Sequence, residues 1–131
     1  MRERARIDNR GMTLVEVLVS LAILSVVFFG LLDAMLVASE FNMRNVLRDE
    51  AVSVADNLIT VKRTLPFASL ATGATTTTVT RRIRGLDVPY TVTDNVTAVT
   101  DPNIRRVDVL VRWTRKGNTY THSLATLVRN R

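Results

Sequence analysis

Glu16 is the single ionisable side chain between residues 12 and 32, where the chain reads MTLVEVLVSLAILSVVFFGLL. A carboxylate at the centre of a helix in lipid costs about 2.5–3.5 kcal/mol on insertion scales, and less near an interface, so such a residue points to a function. The other reactive side chains form no constellation. His122 is the only histidine and there is no cysteine, which excludes a disulfide framework, a thiol nucleophile and a Cys-ligated zinc site. No serine sits in a nucleophile elbow, and no glycine-rich loop suits a phosphate. Asp87, Asp94, Asp101 and Asp108 recur every seven residues, a spacing that does not converge on a metal from strands and turns. The turn around Asp94, Asn95 and Asp101 is the one calcium-like set, and a weak one. The expectation is no metal, no cofactor and no enzymatic activity.

The element that carries Glu16 is long and apolar. Its 21 residues span about 31 Å as a helix, close to the apolar thickness of a bilayer. Arg2, Arg4, Arg6 and Arg10 precede it against Glu3 and Asp8, a basic flank that favours a cytoplasmic N-terminus and an outward C-terminus. Thr13, Ser20 and Ser25 fit a membrane helix because their hydroxyls can bond to carbonyls one turn back. Two ordinary readings stand beside a functional one. One is a secretory signal peptide cut after Val37-Ala38-Ser39, although the uncharged run ends early, at Leu32. The other is a plain single-pass anchor whose Glu16 snorkels to the cytoplasmic surface.

A third reading accounts for all these features. A short basic leader ends in Gly11, then come Met12, Thr13-Leu14-Val15-Glu16 and the apolar run. This resembles the class III leader of type IV prepilins and type II secretion pseudopilins, over residues 1 to about 35. The resemblance implies that a membrane-embedded prepilin peptidase cuts between Gly11 and Met12, and that the same enzyme N-methylates Met12. Most family members have Phe where this chain has Met12. It also implies a role for Glu16, which would pair with the free amine of a neighbouring subunit entering a filament. An unpaired charge in a low-dielectric site is costly, so the carboxylate would set the register of assembly. A salt bridge to the chain's own N-terminus is compatible with that role.

Beyond Leu32 the pattern changes. Residues 12–65 contain no proline and one glycine, Gly30. Leu36, Met43, Leu47, Ala51, Val54, Leu58 and Val61 recur at helical period. They predict a continuous helix from about residue 12 to 63, apolar all round to residue 32 and amphipathic over 33–63. Pro66 ends it, and the low-complexity stretch 64–78 reads as a loop. Residues 79–131 alternate as strands. Val79, Arg81 and Ile83 share one face, as do Val88, Tyr90 and Val92 on a strand that continues past a kink near Asp94-Asn95. Val107, Val109, Val111 and Trp113 form a third set. A two-residue turn at Gly117-Asn118 places Val111 opposite Leu124, Val107 opposite Val128, and Trp113 opposite His122. The predicted fold is α+β and pilin-like: a long N-terminal helix whose second half packs on about four antiparallel strands.

The net charge of +6 is concentrated in residues 62–131, which hold twelve bases against four acids. Arg81, Arg82, Arg84, Arg105, Arg106 and Arg112, with Arg115 and Lys116, form a candidate basic surface. Nucleic acid is a possible partner through phosphate contact. A solvated sheet face is the simpler reading.

The resemblance implies a minor pilin of a type IV pilus, most like the pilus-modification type. Its expected partners are other pilins, the prepilin peptidase and the inner membrane. It would cross that membrane once with its C-terminal domain outside the cytoplasm, and join a surface or periplasmic filament. The alternatives are a minor pseudopilin of type II secretion and a membrane-tethered DNA-binding module.

Overall fold

A computed structural model describes residues 13–130. One helix, α1 (Leu14–Thr64), is followed by a short 3-10 turn, Phe67–Ser69. Four strands complete the chain: β1 (Gly73–Ile83), β2 (Leu86–Ala98), β3 (Ile104–Arg115) and β4 (Asn118–Arg129). They form one antiparallel sheet in the order β1-β2-β3-β4, so the predicted α+β architecture is the one observed.

α1 starts where its first free amides find an acceptor. The Thr13 hydroxyl accepts from the Glu16 backbone N–H at 3.3 Å, as an N-cap does. The helix runs through Gly30 and stops two residues before Pro66, since the residue preceding a proline is pushed out of the helical region.

The chain forms two compact units, Met1–Asn42 and Met43–Arg131. The second holds the whole hydrophobic core. There α1 buries Leu47, Ala51, Val54, Ala55 and Ile59. The predicted stripe is right through Val54 and then drifts: Leu58 is half-buried and Val61 is 53% exposed, while Ala55 and Ile59 are buried. The heptad-like spacing Leu47, Val54, Val61 falls behind a 3.6-residue turn by about 20° per repeat, so the buried face moves to Ala55, Ile59 and then Lys62. Leu36, also on that stripe, lies in the first unit and is exposed.

Two strand expectations are corrected. β1 begins at Gly73, inside the stretch read as loop. Thr75 to Thr78 pair with Asp94, Thr93, Val92 and Thr91 in turn, because β-branched threonines suit an extended, half-solvated strand. β2 runs unbroken through Asp94-Asn95. The β3–β4 register is also shifted by two residues. The central turn residues are Lys116-Gly117, with Arg115 opposite Asn118. Both have positive φ, 48° and 78°, as the tight hairpin turn that matches strand twist requires, with glycine in the second place. Val111 therefore faces His122, Val107 faces Thr126, and Trp113 faces Tyr120. A slip of two preserves side-chain parity, so the apolar face is the same in both registers. What distinguishes them is the turn and the aromatic contact it permits: Trp113 stacks on Tyr120 with ring centroids 5.8 Å apart.

Leu47, Ala51, Val54, Ala55 and Ile59 pack on Tyr90, Val92, Val96, Val107, Val109, Val111, Trp113 and Val128, and Leu70 joins from the loop after the 3-10 turn. Three polar contacts fix the helix on this face. The Tyr90 hydroxyl donates to the Leu47 carbonyl at 3.0 Å. Lys62 Nζ lies 2.6 Å from Asp94 Oδ2, a carboxylate in a residue only 5% exposed. At the same end of the sheet, the Arg63 guanidinium donates to Thr126 Oγ1. Burial, reinforced by the negative charge of Glu50, pushes the Tyr90 phenol up to about 12.

Candidate functional site

The N-terminal site begins at the helix cap. Gly11 and Met12, the expected cleavage and methylation positions, lie outside the described residues. Glu16 occupies the first turn of α1 and is exposed, where its negative charge complements the helix dipole. Thr13 and Glu16 have the Thr-x-x-Glu spacing of a capping box. That spacing was legible in the sequence, and reading Glu16 only as an anomaly in the apolar run passes over it. The carboxylate has a local reason to stand in the first turn.

The helix behind it has nothing packed on it. Every residue from Leu14 to Ser39 is exposed, and the most apolar 18-residue window has a mean hydropathy of 2.6. Ser25 returns its hydroxyl proton to the Leu21 carbonyl at 2.8 Å, so this hydroxyl needs no water in an apolar medium. A helix apolar all round is stable inside a membrane or among other helices. Length and composition fit a single crossing.

The candidate basic surface does not form one patch. Arg81 lies on the core side of β1 with its Nε 3.2 Å from Glu50 Oε1, an ion pair whose angle is too poor for a hydrogen bond. Arg105 lies 4.6 Å over the Phe67 ring and donates to the Phe67 carbonyl at 3.1 Å. Arg106 pairs with Asp108 on its own strand at 2.8 Å. The first two tie separate elements together, and the third is a pair within one strand. Arg82 and Arg112 are exposed on the outward face, and Arg84 is exposed in the β1–β2 turn. Arg106 and Arg112 are six residues apart along β3, or about 20 Å, so the cations divide between opposite ends of the sheet. The outward face between them carries no cation: threonines fill it on β1 and β2, with the Thr76 and Thr93 hydroxyls 3.1 Å apart, and Asp108, Leu110, Ser123 and Ala125 on β3 and β4.

The aspartates are dispersed too. Asp94 points into the core toward Lys62, and Asp101 accepts from the Asn103 N–H at 2.9 Å in the β2–β3 turn. Among the described residues no group of His, Asp and Glu could hold a metal ion. His122 lies beside Val111 rather than Trp113. A cavity of about 260 Å³ between α1 and β1 is lined mainly by Val54, Leu58, Val61, Val79 and Val92. It presents no catalytic set.

Comparison with known families agrees with the N-terminal geometry. Residues 6–32 match the prokaryotic N-terminal methylation motif, the class III prepilin leader typical of type IV pilins and pseudopilins. The N-terminal segment of this chain is similar to a prepilin leader. The match covers about a fifth of the sequence and includes Gly11, Met12 and Glu16. No curated protein and no solved structure matches the chain. The motif implies processing by prepilin peptidase and pilin-type assembly. With the apolar helix it points to a membrane anchor and an extracytoplasmic domain. Pilin-like proteins are structural rather than enzymatic.

Proposed function

We propose that this chain is a minor pilin, a low-abundance structural subunit that joins or initiates a type IV pilus-type filament. Prepilin peptidase cuts between Gly11 and Met12, and Met12 becomes the N-methylated first residue. Residues 12–32 hold the subunit in the inner membrane and then pack among the equivalent helices of its neighbours. Glu16 accepts the charge of a neighbouring N-terminal amine and so sets the register, because a desolvated carboxylate left alone opposes misplaced assembly.

One observation carries this reading. The methylation motif over residues 6–32 leads directly into a helix with a single carboxylate in its first turn and no covering side chains through Ser39. An anchor needs only the apolar run. Filament assembly also gives the carboxylate and the unsheathed helix surface a purpose.

The test is Glu16→Ala in the native host, with the protein followed in membranes and in sheared surface filaments. The variant is expected to insert, to lose its leader and to be absent from filaments. Recovery of the variant in filaments at the normal level would remove the assembly role of Glu16. Intact mass of the membrane form checks the processing independently: the expected chain starts at Met12 and carries one added methyl.

A further inference from the structure

The net positive charge of the second unit is concentrated at one end of its sheet. The β1–β2 turn, Arg84-Gly85, and the β3–β4 turn, Lys116-Gly117, are both at the end where Thr91 pairs with Arg112 and Tyr90 approaches Leu47. Arg81, Arg82, Arg84, Arg112, Arg115 and Lys116 belong to this end. The first turns of the unit's helix add Arg44 and Arg48, which border the same cavity as Trp113, Arg115 and Tyr120. Only Asp49, Glu50 and Asp87 oppose these eight cations, a net of +5. The far end holds Lys62, Arg63, Arg105, Arg106 and Arg129 against Asp56, Asp94, Asp101 and Asp108, a net of +1. Leu86, beside the Arg84-Gly85 turn, is 53% exposed, so this tip joins basic side chains to an apolar one.

We infer that the two hairpin tips, with Arg82, Arg84, Arg112 and Lys116, form a contact surface for the anionic headgroups of a lipid membrane. The charge is complementary to acidic lipids, whose attraction for basic side chains is worth about a five-fold change in affinity for each cation at the surface. Chain continuity supplies the second argument. The polypeptide enters this unit at Met43, with only ten residues between it and Leu32, where the uncharged run ends, and its first turns pack at the basic end. Arg44, Arg84, Arg115 and Lys116 also interact within the protein, so the surface rests on the net excess of charge and not on unpaired side chains. A nucleic-acid duplex fits less well, because a phosphate backbone lying along the outward face would cross a middle stretch that carries Asp108 and no cation. Headgroup contact would hold the domain at the membrane before assembly. The inference rests on the reading that residues 12–32 cross the bilayer.

The full chain, reconstituted in nanodiscs of phosphatidylcholine alone or with one-third phosphatidylglycerol, tests this by hydrogen–deuterium exchange. Peptides covering 81–87 and 112–118 are expected to exchange more slowly in the anionic discs. The protection should disappear in high salt, as screening requires. The variant Arg82→Gln/Arg112→Gln/Lys116→Gln should weaken tip engagement by about five-fold per charge removed. These outward or turn positions lie outside the hydrophobic core, and unchanged exchange of 90–96 and 107–111 checks that the variant folds. Equal tip exchange in the two discs overturns the headgroup contact while leaving the membrane span intact, provided 14–32 stay protected in both. Unprotected 14–32 would overturn the span on which the inference stands. Tip protection by added duplex DNA, with none from phosphatidylglycerol, would overturn the lipid assignment in favour of nucleic acid.

Discussion

At the residue scale, two side chains decide how α1 sits on the sheet. Lys62 and Asp94 meet at 2.6 Å, with side chains 20% and 8% exposed. Removing one partner strands the other. Lys62→Met is therefore expected to destabilise the domain by about 3 kcal/mol, and Lys62→Met/Asp94→Leu to recover most of the loss. Urea unfolding of the single and double variants measures both. Tyr90 responds to pH. Its folded pKa of about 12 lies above the ordinary phenol value of 10, so the unfolded state gives up the proton first. The stability it contributes is fully present below pH 10, and falls as pH rises from 10 to 12. Tyr90→Phe is expected to cost about 1 kcal/mol at neutral pH through its lost hydrogen bond and to flatten that part of the alkaline decline. Thermal melts from pH 8 to 11.5 would register it.

At the element scale, the β3–β4 turn sets the register. Lys116 and Gly117 have φ of 48° and 78°, values that side-chain-bearing residues rarely adopt. Gly117→Ala is expected to cost about 1 kcal/mol through backbone strain alone, since no neighbouring atom lies within 4 Å of the added methyl. Lys116→Asn should stabilise by a few tenths of a kcal/mol, because asparagine tolerates the left-handed region best after glycine. Opposite signs at adjacent positions in a denaturant melt would support this turn over one centred on Gly117-Asn118. The two-residue slip was invisible in the hydrophobic pattern because an even shift leaves every side chain on its own face. The turn chemistry was legible: glycine belongs in the second of the two central places, and Lys116-Gly117 satisfies that.

At the scale of the whole molecule, the buried hydrophobic residues among those described all lie at or beyond Leu47. A chain beginning at Met43 is therefore expected to fold to the same sheet domain. Its stability should be modest, at the low end of the usual 5–15 kcal/mol, because a domain of this size without disulfides buries a limited core. Circular dichroism and a dispersed amide NMR spectrum would check it. An unfolded spectrum would mean that the domain needs the preceding helix.

The membrane-length run, its lone Glu16 and the helix-then-sheet order were all readable from residue types and spacing. Composition and period are local properties that a single chain records directly. The division of the arginines was not readable. Arg81, Arg105 and Arg106 look like Arg82, Arg84 and Arg112 in sequence. Arg106 pairs with Asp108 on its own strand, but only the tertiary fold commits Arg81 to Glu50 and Arg105 to Phe67 and gathers Arg82, Arg84 and Arg112 with Arg44 and Arg48 at one end. The same holds for Asp94, which the sequence placed near a kink and whose actual partner is Lys62. Charges act through space, and which charges become neighbours depends on strand register and helix rotation, which the fold alone determines.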